Sequence, residues 1–112
     1  MGIWNFFKHR RTARFVAKAS QEIADRSCAA VLDRVRRRAT TMRIAEARGY
    51  VRSRALEIVH REMAAVYADR VKLAADIQTA IVSSATEAVT ARVTAELRSV
   101  PKAARPSKRH AA

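Results

Sequence analysis

Residues 43–50, RIAEARGY, decide how this chain of 112 residues folds, because the helical register of its apolar residues changes there. Upstream, Cys28, Val31, Val35, Ala39 and Met42 recur at steps of three or four, as one buried helix face requires. Downstream, Ile44, Ala47, Val51, Ala55 and Ile58 do the same. At about 100° per residue the second stripe lies roughly 160° around the helix from the first. One straight helix with one buried face cannot serve both. A turn or sharp bend between Arg43 and Tyr50 resolves the conflict, and Gly49 is the residue there best able to adopt a left-handed, helix-ending conformation. The competing arrangement is a continuous helix that absorbs Gly49 at a cost of ~1 kcal/mol. The hairpin is the preferred reading.

The rest of the chain offers little punctuation. Apart from Gly2, Gly49, Pro101 and Pro106 there is no Gly or Pro, so residues 8–48 and 50–99 form two uninterrupted runs rich in Ala, Arg, Glu and Leu. Those residues favour helix. Val59, Met63, Val66, Leu73 and Ile77 continue at coiled-coil spacing with Arg70 in the seam. Ile77, Ile81, Ala85, Val89, Val93 and Leu97 then advance by four each time, which makes the stripe wind around its helix and breaks any heptad. The expected fold is all-α: a long helical hairpin, residues 16–100, preceded by an aromatic and basic docking segment, residues 1–15. A basic tail, residues 101–112, is predicted to be disordered. A chain this short with a core of Ala and Val buries modest apolar surface, so a homo-oligomer formed through the second helix is expected.

Charge is unevenly distributed along this plan. The net charge is +13. Residues 1–61 hold fifteen Lys/Arg against five Asp/Glu, residues 62–100 hold four against five, and residues 101–112 add four basic residues and no acid. A field of this kind draws nucleic acid or an anionic membrane. Thirteen of the fifteen basic residues up to position 61 are Arg, whose planar fork suits phosphate oxygens better than the point charge of Lys. On a helical projection Arg11, Arg14, Lys18, Arg36, Arg43, Arg54 and Arg61 fall within about 40° of one line, with Arg34, Arg37, Arg48 and Arg52 to one flank. Arg36, Arg37, Arg38, Arg43, Arg48, Arg52, Arg54 and Arg61 are therefore the candidate nucleic-acid contacts. Six such contacts would give a salt slope near −5. Base-stacking aromatics are absent from this region except for Tyr50, so shape and charge readout is expected in place of sequence reading. The competing explanation is a solvated face kept basic for solubility.

The N-terminus suggests a second kind of partner. Trp4, Phe6, Phe7 and Phe15 are the only Trp and Phe residues, and Lys8, Arg10, Arg11 and Arg14 overlap them. Ile3, Trp4, Phe6 and Phe7 could enter a membrane interface or an apolar groove while Lys8, Arg10 and Arg11 meet anionic headgroups. Residues 1–21 contain no acid and five Lys/Arg, the composition of an organellar transit segment. They lack a continuous apolar stretch of secretory length. Phe6 stands where a myristoylation signal has Ser or Thr. Residues 73–91 carry Asp76, Glu87 and several Ser/Thr, so no transmembrane span is expected and an intracellular location is.

Enzymatic chemistry finds little support. Glu57 and His60 have the spacing of paired metal ligands on one helix face, and Glu46 could add a third, but both project away from the Ile44 to Ile58 stripe toward solvent. Cys28 has no His within a helical turn, Ser83 and Ser84 have no nearby base, and no Gly-rich phosphate loop exists. No catalytic residue, metal or cofactor is assigned. Arg36-Arg37-Arg38-Ala39-Thr40 resembles a short basophilic kinase site, which a stable helix would shield. The leading expectation is a non-enzymatic protein that binds nucleic acid through phosphates with little sequence preference. The alternative is a peripheral membrane or scaffold protein anchored by its N-terminus and oligomerising through its C-terminal helix.

Overall fold

A computed structural model describes the backbone of residues 2–67 and 73–111 and the side chains of residues 9–67 and 73–99. Three helices account for it: α1 (Gly2–Ala39), α2 (Ile44–Tyr67) and α3 (Ala75–Ala111), each packed on the other two. The fold is all-α, as read from the sequence, with three helices in place of two. The radius of gyration is 17.8 Å, against about 13 Å for a compact domain of this length. The molecule is a rod, 69 × 29 × 21 Å.

The chain first reverses at Thr40 to Arg43, just ahead of the segment where the register argument places the turn. Thr40 and Thr41 make that position workable. Their hydroxyls donate to the carbonyls of Arg37 (2.9 Å) and Arg38 (2.8 Å), two of the acceptors that the end of α1 leaves without helical donors. Gly49 is not the hinge. It lies inside α2 with open space around its α-carbon and no left-handed φ. The second expected helix is itself interrupted, since α2 ends at Tyr67 and α3 begins at Ala75. Arg70, the seam residue, lies outside the described residues.

The core explains why three helices suffice. Along α1 the buried positions are Ala19, Ile23, Ser27, Val31, Val35 and Ala39, a strict step of four, with Ser20 and Ala24 beside it. α2 contributes Val51, Ala55, Ile58, Val59 and Met63, and α3 contributes Ile81, Val82, Ala85, Val89 and Val93. Steps of four drift by about 40° on a helix, so the stripes of α1 and α3 wind and each can meet two neighbours. The α3 stripe expected to face a second copy is thus buried within its own chain. Ile44 falls off its expected stripe and is 69% exposed, Cys28 and Met42 are half-buried, and Phe15 is 42% exposed. α3 continues through Pro101 and Pro106 to Ala111, where composition predicts disorder. Ala, Lys and Arg between the prolines favour helix, although each proline removes one backbone donor.

Candidate functional site

α1 and α2 run antiparallel, with Arg26 of α1 bonded to Glu62 of α2 at 2.9 Å. Their shared turn therefore gathers the end of one Arg-rich segment and the start of another. Arg34, Arg36, Arg37 and Arg38 lie in the last two turns of α1, Arg43 in the reversal, and Arg48 in the second turn of α2; all six are exposed. Among the described residues none of the six makes a side-chain hydrogen bond or ion pair. The acids in the same span are Asp33 and Glu46, so residues 33–48 carry six Arg against two acids, a net +4.

Local structure accounts for part of this cluster. A helix C-terminus carries about half a negative charge, and Arg36, Arg37 and Arg38 in the last turn of α1 complement it. Arg43 is different. Its carbonyl accepts the first helical bond of α2, from Ala47 at 2.8 Å, which puts Arg43 at the N-cap. A side chain with no acceptor there leaves the first N–H groups of α2 uncapped and adds positive charge to the positive end of the helix.

The remaining candidates do not join the cluster. Arg52 pairs with Glu87 across the α2–α3 interface at 2.8 Å. Arg54 binds both carboxylate oxygens of Glu57 at 3.0 Å and lies 5.6 Å from the ring centre of Tyr50, so guanidinium and aromatic face occupy each other. Arg61 is exposed and, among the described residues, unpaired, but it lies thirteen residues beyond Arg48, about 20 Å along α2. The single line of basic residues is broken by the chain reversal, which leaves Arg11, Arg14 and Lys18 on the far half of α1. Arg10 and Arg11 are exposed; the side chains of Ile3, Trp4, Phe6, Phe7 and Lys8 lie outside the described residues.

The catalytic alternatives are poorly arranged. Glu57 is committed to Arg54, and among the described residues no three His, Cys, Asp or Glu side chains group around a common point. Burial pushes the Cys28 thiol above its ordinary value, with Arg92 pulling it down and Asp25 pushing it up. A nucleophilic thiolate needs the opposite shift. One feature has no signature in the sequence, a groove of about 700 Å³ between α2 and α3 lined by Leu56, Met63, Tyr67, Leu73 and Val82, with Arg52 and His60 also contributing. Its lining residues come from both sides of the unread break after Tyr67. Among the described residues no helix is long and apolar enough to cross a membrane. No known protein family, curated protein or solved structure matches this chain.

Proposed function

We propose that the chain is a non-enzymatic nucleic-acid-binding protein that grips the phosphates of a duplex with the arginine-rich end of its α1–α2 hairpin. One observation carries the reading: Arg36, Arg37, Arg38, Arg43 and Arg48 are exposed around one chain reversal and, among the described residues, paired with no carboxylate. Elsewhere on the bundle Arg26, Arg52, Arg54 and Arg92 are engaged with acids, and the other exposed cations, such as Arg61, are spread along the helices. A solubilising surface gives no reason for five to gather at one reversal. Five free guanidinium groups can replace counterions on a backbone, with a salt slope of about −4 to −5 on duplex DNA. With Tyr50 half-buried under Arg54, nothing described at this end stacks on bases, so affinity is expected to be indifferent to sequence.

A gel-shift titration over increasing salt tests the reading on wild type and three triple variants. Arg36/Arg37/Arg38→Ala should lose most affinity, while Arg11/Arg14/Lys18→Ala should bind nearly as wild type. Arg36/Arg37/Arg38→Lys, which keeps the charge at the α1 terminus, guards against mistaking unfolding for lost contact. Flat affinity from low to moderate salt, or full binding by the first variant, would overturn the proposal.

The membrane or scaffold reading draws on a separate observation. From His9 to Lys18 only Thr12 and Val16 are even partly covered, and Phe15 keeps 42% of its surface. An exposed helical arm with aromatic residues ahead of a basic collar suits an anionic bilayer. With the α3 stripe spent inside the chain, self-association under this reading would use the α2–α3 groove beside Leu56. Liposome flotation with and without residues 2–7 separates the two: flotation should vanish on truncation while the gel shift survives.

A further inference from the structure

We propose that Thr40 is a phosphoacceptor for an arginine-directed serine/threonine kinase, and that its phosphate closes the cationic end of the hairpin to nucleic acid. The second half rests on the phosphate-binding role proposed above. The first half rests on where the chain turns.

As a sequence, Arg36-Arg37-Arg38-Ala39-Thr40 offers cationic residues two, three and four places before a hydroxyl, and its expected flaw is poor access to that hydroxyl within a stable helix. The structure removes the flaw. α1 ends at Ala39, and Thr40 and Thr41 are exposed in the reversal. The Thr40 hydroxyl makes one bond, to the carbonyl of Arg37 in the same turn. A kinase cleft takes its substrate extended, so the last turn of α1 must open. Arg36, Arg37 and Arg38 are exposed, and Ala39 is the one buried side chain that this opening gives up before Val35. Among the described residues the three guanidinium groups are bound to no acid, which leaves them to be read.

The transfer is a simple exchange. The bond between the γ-phosphorus of ATP and its bridging oxygen breaks, ADP leaves, a bond forms from phosphorus to Thr40 Oγ, and the hydroxyl proton passes to the kinase base. The product carries about −1.5 to −2 charge at neutral pH and three strong acceptor oxygens. Residues 33–48 hold a net +4, so one phosphate cancels nearly half of it. Arg37 and Arg38 on one side and Arg43 on the other can each supply forked donors to it. A second hydroxyl beside it, Thr41, has a cationic residue at the third and fourth places before it but Ala39 at the second, which makes Thr40 the better match.

The experiment treats the full chain with ATP and a purified arginine-directed kinase, maps the phosphate by mass spectrometry, and repeats the gel shift. Phosphate is expected on Thr40 in wild type and Thr41→Ala, and none should enter Thr40→Val. Modified wild type should bind duplex about tenfold less tightly with a salt slope lower by one to two, and treatment should not change Thr40→Val. Phosphate on Thr41 or elsewhere, no incorporation, or unchanged affinity after modification of Thr40 overturns the proposal. Should the untreated chain bind no duplex, the preceding reading falls, and the mapping alone decides whether Thr40 is the acceptor.

Discussion

Arg43 sits where α2 needs an acceptor and offers none. The N-cap position favours Ser, Thr, Asp or Asn, each worth ~1 kcal/mol over a residue that cannot accept, and Arg also adds charge beside Arg38 and Arg48. A choice that costs stability locally is explicable if the same side chain contributes to binding. Arg43→Ser is therefore expected to stabilise the fold by ~1 kcal/mol in thermal melts while lowering the salt slope of duplex binding by about one. A variant that melts lower, or binds undiminished, removes that argument for a functional Arg43. Two other side chains make stability depend on pH. Burial raises the Cys28 thiol, and burial together with the charge of Glu22 raises the Tyr67 phenol. In each case the folded chain holds its proton more tightly than the unfolded chain does. Their contribution is complete below the unfolded values and is lost as pH climbs through the folded ones. Denaturant midpoints should thus fall as pH rises past 9.0 for the thiol and past 10.0 for the phenol. Cys28→Ser should abolish the first part of that decline.

At the scale of elements, Gly49 separates the hairpin read from the sequence from the helices actually formed. A glycine ending a helix in the left-handed region resists replacement, whereas one in the interior of a helix is a weak point. Gly49 lies within α2 with nothing within 4 Å of an added β-carbon. Gly49→Ala should accordingly raise stability by up to ~1 kcal/mol, and a loss would return the turn to residues 43–50. The shift in apolar register correctly marked a break, but glycine drew it a few residues too late. What ends α1 is the Thr40 and Thr41 pair, whose hydroxyls close on its last carbonyls, a signal available in the sequence but weaker than a glycine. The break after Tyr67 left no comparable mark. Val66 and Leu73 keep helical spacing across it, and no Gly or Pro intervenes. Within α3 the step of four from Ile77 to Leu97 was legible, because Ile81, Ala85, Val89 and Val93 are all buried and the two ends are half-buried; Val82, Thr86 and Thr90, buried beside that line, were not. The candidate site was legible as composition only. Which arginines remain free depends on acids distant in sequence, such as Glu87 opposite Arg52, and no periodicity reveals that pairing.

For the whole molecule, charge should make folding and binding respond to salt in opposite directions. A rod with net +13 and a +4 cluster around its first reversal repels itself, and that repulsion is screened beyond about 10 Å at 0.1 M salt and about 3 Å at 1 M. Salt also weakens the attractive pairs of Asp25 with Arg92 and Glu87 with Arg52. These are about half exposed, and such pairs contribute only ~0 to 1 kcal/mol each. Repulsion among a large excess of cations outweighs that loss, so the melting temperature of the free chain should climb with salt. Over the same range duplex affinity should fall, because released counterions return to the backbone. Adding a short duplex at low salt joins the two effects: at a hundred times Kd, binding to the folded state alone stabilises it by ~2.7 kcal/mol, a shift of several degrees that high salt should erase. Melts with and without duplex at two salt concentrations check all of this on one sample. A free chain that melts lower as salt increases would mean that the exposed pairs outweigh the repulsion, and the cationic surplus would then no longer be the dominant electrostatic fact about this protein.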